Sequence, residues 1–162
     1  MNEFIKWASI PRIENEKYHF TEKIDGTNAC LVINPDGSYF CQSRTKIITP
    51  EDDNFGFARW CKANEKELAL LGEGRWYGEW WGLGIQRGYD QKQKNFSLFY
   101  FPGDLPTQLV TRVPTIPVGS IEECKQYLHE QGSLAAPGWM KPEGAVVYSS
   151  LARTRYKIIL DK

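Results

Sequence analysis

Apolar and polar residues alternate in the first third of the chain. Over 18–24, 29–34 and 38–42 the residues are mostly β-branched or aromatic, and Pro35-Asp36-Gly37 separates the last two runs. This spacing predicts a strand meander closed by a hairpin turn. From 53 to 71 apolar positions recur at helical spacing, with Asp53 or Asn54 as a cap and Gly72 as a stop, which predicts the main helix. Strands are predicted again over 75–80 and 96–101, and the Pro-rich stretch 102–117 reads as a long surface loop with a short strand. Ser120 begins a second helix whose Ile121, Cys124 and Leu128 share a face. After the turn-rich 132–142, the runs 144–149 and 155–160 read as a closing pair of strands. The pattern predicts one α+β domain over 1–162, a mainly antiparallel sheet carrying two helices, with no repeats or linkers.

Composition limits the classes of function. With 162 residues and 41% hydrophobic positions the chain can bury one sizeable core. No apolar run approaches membrane-spanning length, and Met1 to Trp7 lacks the basic and then apolar layout of a signal peptide. The expectation is a soluble protein of the cytoplasm, in a bacterial or phage-infected cell, with no membrane partner. Cys30, Cys41, Cys61 and Cys124 form no C-x-x-C pair, which argues against a zinc site or disulfide framework. Twenty basic residues balance twenty acidic ones, so charge alone names no partner. Local basic clusters at Arg44 and Lys46, over 87–94, and at Arg153, Arg155 and Lys157 leave room for a modest phosphate-binding face.

Candidate chemistry centres on Lys23. It stands at the end of a predicted strand and is followed by Asp25-Gly26, so the sheet pins the lysine while the glycine releases the chain. A lysine becomes a nucleophile when desolvation or nearby positive charge leaves its amine partly neutral. Alone, K-x-D-G arises in roughly one random chain of this length in fifty, and an exposed lysine before an ordinary turn explains it as well. Arg75-Trp76-Tyr77-Gly78-Glu79-Trp80-Trp81-Gly82 adds a carboxylate among aromatics, where a charge needs a partner. Pro142-Glu143-Gly144 repeats the arrangement at the mouth of an apolar strand. Arg44 follows a strand and offers a guanidinium fork for phosphate or ribose. Phe96, Phe99 and Phe101 are aromatics on one predicted strand, and one facing a pocket would carry a purine. Lys157 brings positive charge beside the strand of Glu143.

In chain order, Lys23-Ile24-Asp25-Gly26, Ser43-Arg44, Tyr77-Gly78-Glu79, Phe96-Ser97-Leu98-Phe99, Glu143-Gly144 and Tyr156-Lys157 resemble the collinear motifs of the covalent nucleotidyltransferases. That superfamily comprises ATP-dependent RNA and DNA ligases and mRNA capping enzymes. Glu22 through Asn28 most resembles the RNA ligase 2-like family, and Gly78 through Tyr89 resembles short phage and bacterial relatives of it. The resemblance implies a ligase-type adenylation domain in which Lys23 attacks the α-phosphorus of ATP, releases pyrophosphate and carries AMP as a phosphoramidate. It further implies that Glu22 contacts the adenine edge, Phe96 stacks on the base, and Arg44 and Glu79 hold the ribose and its surroundings. Glu143 would lie near the metal, Mg2+, and the phosphates, and Lys157 would contact the α-phosphate. AMP would then pass to a 5′-phosphate end of RNA or of a nicked duplex, and a 3′-hydroxyl would displace it.

The chain departs from that pattern in two places. It carries no recognisable C-terminal accessory domain, so a protein partner supplying one is an expectation. The last motif has Arg155 and Ile159 where the family commonly has a second lysine. Self-adenylylation is therefore better supported by the sequence than complete sealing. The competing expectations are a GTP-using or DNA-sealing enzyme of the same chemistry, and a non-catalytic nucleotide- or nucleic-acid-binding module of the same fold.

Overall fold

A computed structural model describes residues 2–160. Two sheets form its frame. β1 (Tyr18–Lys23), β8 (Thr115–Ile116), β9 (Gly144–Ser149) and β10 (Thr154–Ile159) make a four-stranded sheet in the order β10-β9-β1-β8. The other sheet runs β4-β3-β2-β5-β6-β7, built from β2 (Thr27–Ile33), β3 (Tyr39–Ser43), β4 (Ile47–Ile48), β5 (Gly74–Gly82), β6 (Lys94–Leu98) and β7 (Thr111–Arg112). Every pairing is antiparallel except β6 with β7. The expected α+β class and mainly antiparallel architecture are what is found.

Alternation explains where each sheet buries its apolar side. In the six-stranded sheet Ala29, Leu31, Ile33, Cys41, Trp80, Phe96 and Leu98 face a core closed by Phe57, Ala58 and Cys61 of α1 (Phe57–Ala63) and Leu68 of α2 (Glu65–Leu68). Phe57 anchors it, with its ring centroid 4.8 Å from Phe96 and 5.3 Å from Trp80. The four-stranded sheet packs Phe20, Ala145, Val147 and Ile158 against Cys124 and Leu128 of α3 (Ile121–Gln131). Ser120 caps α3 by accepting from the Glu123 amide, and its hydroxyl donates to the Glu123 carboxylate. A third cluster of Ile24, Trp81, Tyr89, Val113 and Ala136 fills the corner where the chain passes between sheets.

Three expectations about elements need correction. The helix expected over 53–71 is broken into α1, α2 and a 3-10 turn at Ala69–Leu71. Asn64 donates its side-chain amide to the Trp60 carbonyl at 2.8 Å, a local bond that competes with the helical ladder. Asp53 does cap α1, but from outside, accepting the amides of Ala58 and Arg59 across a turn at Phe55-Gly56. The strand expected over 96–101 is shifted to Lys94–Leu98, and the loop 102–117 contains two short strands rather than one.

All four cysteines are buried and unbridged. At the N-terminal end, residues 2–12 carry no regular structure, and Trp7 is 92% exposed while Trp139 is partly buried. Among the described residues no helix is long and apolar enough to cross a membrane.

Candidate active site

The faces of the two sheets that do not meet the helices enclose a cleft of about 1000 Å³. In the four-stranded sheet, register puts His19 opposite Tyr148 and Arg155, Thr21 opposite Val146 and Lys157, and Lys23 opposite Gly144. Directly paired residues share a face, so one surface presents three rows ending at Lys23. All of these line the cleft except Gly144 and Lys157. The opposite wall offers Asn28, Cys30, Gln42, Arg44, Arg75, Tyr77 and Glu79, with Phe99, Tyr100 and Val113 also lining the space.

Lys23 is the last residue of β1, and Ile24-Asp25-Gly26 carries the chain across to β2 in the other sheet. Only glycine fits at 26, because a Cβ there would strike the Trp80 carbonyl and lie 2.7 Å from the Trp81 Cβ. Close passage of the corner over β5 brings the Gly26 amide to Glu79 Oε2 at 2.9 Å. Gly144 plays a similar part on β9, where a Cβ would collide with the Ile158 carbonyl of β10. Thus the two glycines of the K-x-D-G and E-G motifs are requirements of close backbone approach.

Three of the expected site residues converge. Lys23 Nζ lies 3.0 Å from Glu143 Oε2, with both side chains partly buried. Glu79 is buried beside this pair, and desolvation pushes its carboxyl up from 4.5 to about 7, against the opposing pull of the Gly26 amide and the Lys23 charge. Asp25 faces Arg87 at 3.3 Å. Cys30 also lines the cleft, but burial raises its thiol to about 11, so it stays protonated near neutral pH.

Arg44 is exposed just past the end of β3, on the cleft wall where an anion can reach it. Lys157 is exposed on the outer strand β10 and shares the face of Thr21 and Val146, but it lies outside the cleft lining. Arg155 is the basic residue of that strand which lines the cleft, its guanidinium 5.8 Å from the Tyr148 ring centroid.

Two expected contacts are corrected. Phe96 is 1% exposed and points into the core beside Phe57, so it is no platform for a base. Pairing with β5 sets Phe96 opposite Trp80 and Leu98 opposite Gly78, which turns both inward, and Phe99 just beyond the strand lines the cleft instead. Glu22 borders the cleft, but its carboxylate is spent elsewhere. Oε1 accepts the amides of Leu134 and Ala135 at 2.8 and 2.9 Å, and Oε2 accepts the Ser133 hydroxyl at 2.6 Å. Alternation on β1 gives Glu22 the face of Phe20, opposite to that of Lys23, and so it pins the loop after α3.

Sequence reasoning missed Tyr89. Burial pushes its phenol up to about 12, and the protonated hydroxyl accepts the amides of Asp25 at 3.0 Å and Glu143 at 3.2 Å. The glycine-rich segment around it has no periodicity from which these distant contacts could be read.

Residues 16–109, well over half of the chain, match the family model described as RNA ligase. The chain belongs to the RNA ligase family. Among solved structures it is similar to Naegleria gruberi RNA ligase. A lysine-to-methionine variant with AMP and Mn aligns at TM-score 0.62 and 20% identity, over 90% of this chain and 50% of that one. A glutamate-to-alanine variant with ATP and Mn aligns at TM-score 0.61 and 20% identity, over 99% and 58%. The same ligase with PPi aligns at TM-score 0.57 and 20% identity, over 89% and 49%. Identity at this level shows the shared fold, and the chain spans about half the length of these structures. No curated protein sequence matches the chain. For this member of the RNA ligase family, the matched segment contains Lys23, Arg44 and Glu79, whereas Glu143 and Lys157 lie beyond it.

Proposed function

We propose that this chain is an ATP-dependent RNA ligase-like adenylyltransferase whose Lys23 Nζ attacks the α-phosphorus of ATP. The new N–P bond forms as the α–β phosphoanhydride breaks, pyrophosphate leaves, and the lysine gives up a proton. The observation that carries the reading is the meeting of Lys23, Glu143 and Glu79 at one corner of a cleft large enough for a nucleotide. The RNA ligase fold and the ATP and AMP bound by the similar structures support it.

Each wall has a part in this reading. Phe99 provides the aromatic surface for adenine, with Val146 across the cleft. Arg44 and Arg155 meet ribose or phosphate oxygens. Lys157, on the same sheet face, can reach the α-phosphate only if the outer strand's side chain extends over the bound nucleotide. Glu143 is the carboxylate in contact with the amine, and in this reading it takes the proton.

A divalent cation fits this donor set as a guest of the triphosphate. Glu143 and Glu79 are hard oxygen donors, but among the described residues no group of three or more His, Cys, Asp or Glu side chains is arranged to hold an ion. Mg2+ would be bound largely by phosphate oxygens and water, with Glu143 as the protein ligand. When bound, it would offset negative charge on the reacting phosphates.

In the second half of the reaction AMP passes to the 5′-phosphate of an RNA end, and a 3′-hydroxyl then displaces AMP to seal the strand. Whether this chain completes sealing alone or with a protein partner is decided by supplying purified adenylylated protein with 5′-phosphorylated RNA, single-stranded or nicked, and following transfer of the labelled AMP. Transfer to the RNA and release of AMP with ligated product is the expected result, and label that never leaves Lys23 contradicts the sealing step.

A further inference from the structure

The segment between β5 and β6 is the part of the chain that the reaction above leaves without a role. It is built at a conformational cost. Gln86, Tyr89 and Asp90 all have left-handed φ values between 48° and 57°, uncommon for residues with a side chain. That backbone delivers two side chains to the corner of the other sheet. Tyr89 is 1% exposed, with Trp81 at 5.6 Å and Trp139 at 5.8 Å between ring centroids. Its oxygen accepts the amide that follows Lys23 by two residues and the amide of Glu143 itself. Arg87 makes a second tether, with Nε 3.3 Å from Asp25 Oδ2 and a terminal nitrogen donating to the Lys141 carbonyl at 3.3 Å.

One phenolic oxygen therefore joins the end of β1 to the start of β9, the two strand ends that bear the lysine and its carboxylate. Tyr89 does not line the cleft, so it takes no part in gripping a nucleotide. We propose that Tyr89 is a positioning residue for adenylyl transfer, holding the backbone of Asp25 and Glu143 so that Lys23 and Glu143 present their reacting groups to the same phosphate. Arg87 restrains the same corner. This inference rests on the adenylyl-transfer reading, and it assigns the glycine-rich segment after Glu79 a function at a distance from the nucleotide.

The discriminating variant is Tyr89→Phe, which keeps the packed ring and removes the acceptor. In-line attack is sensitive to displacements near 1 Å, so the single-turnover rate of lysyl-AMP formation is expected to fall about 10- to 100-fold. The ATP concentration for half-maximal rate should change less than about 3-fold, since no nucleotide contact is lost. Leu128→Ala, which loosens the α3 core without touching the corner, controls for stability and should keep the wild-type rate at temperatures where it is folded. If Tyr89→Phe does not fold, Arg87→Met removes the second tether and is expected to show the same split between rate and affinity.

Amide hydrogen exchange in segments 22–28 and 141–146 reads the tether directly, without activity. Faster exchange at both segments in Tyr89→Phe supports the proposal. Unchanged exchange with an unchanged rate overturns it, as does a rate loss fully explained by weaker ATP binding. A wild-type chain that forms no adduct overturns the proposed reaction and with it the kinetic role of Tyr89, while the exchange result still decides whether the hydroxyl holds the two amides.

Discussion

Lys23 Nζ and Glu143 Oε2 stand 3.0 Å apart across neighbouring strands that pair Lys23 with Gly144. In the proposed reaction the lysine attacks phosphorus as the free amine, so its proton must pass to an acceptor, and Glu143 is the carboxylate in contact with it. Glu143→Gln keeps the shape and removes the proton acceptor. Its rate of adduct formation should drop at least about 10- to 100-fold, in the range typical for loss of a general base, as measured by quenched-flow with labelled ATP.

Glu79 makes stability depend on pH. Its carboxyl is raised from 4.5 to about 7 by burial, so the folded chain holds a proton that the unfolded chain has already released. This contribution is fully present below about pH 4.5 and is lost as pH rises through about 7. Glu79→Gln keeps an acceptor for the Gly26 amide and cannot ionise. It should be more stable than the parent by about 1–3 kcal/mol at pH 8 and close to it at pH 5, by urea denaturation at the two pH values.

Phe96 and Phe99 should separate stability from nucleotide binding. Phe96→Ala opens a cavity in the core and should cost about 3–5 kcal/mol of stability. Phe99→Ala, half-exposed at the cleft, should cost less than about 1 kcal/mol and raise the half-saturating ATP concentration. The reverse pattern in thermal melts and ATP titrations would restore the base platform to Phe96.

Glu22 is predicted to matter for folding. Glu22→Ala leaves the Ser133 hydroxyl and the Leu134 and Ala135 amides without their acceptor, a loss of about 2–4 kcal/mol. Chemical denaturation gives the number. Full stability combined with impaired ATP discrimination would instead return Glu22 to the adenine edge.

Local patterns carried much of this structure. Alternation over 18–24 and 144–149 marked the strands that hold Lys23 and follow Glu143, because each has one face on a core and the other on the cleft. The resemblance of their collinear motifs to those of the covalent nucleotidyltransferases groups Lys23, Glu79 and Glu143, and the structure brings the three to one corner. The inward face of Phe96 is set by its pairing with Trp80 on β5, which no local pattern shows, and several aromatics in a row mask the alternation. Glu22 and Tyr89 were illegible for another reason. Their partners lie 111 to 113 residues away for Glu22, and 64 and 54 residues away for Tyr89, and most are backbone amides, which any sequence supplies.

Intact mass spectrometry of AMP-free protein mixed with ATP and Mg2+ tests the central claim most directly. The expected result is a gain of one AMP moiety, mapped by peptide analysis to Lys23 and absent in Lys23→Ala. Reversible ATP binding with no covalent product, or an adduct that survives Lys23→Ala, contradicts it.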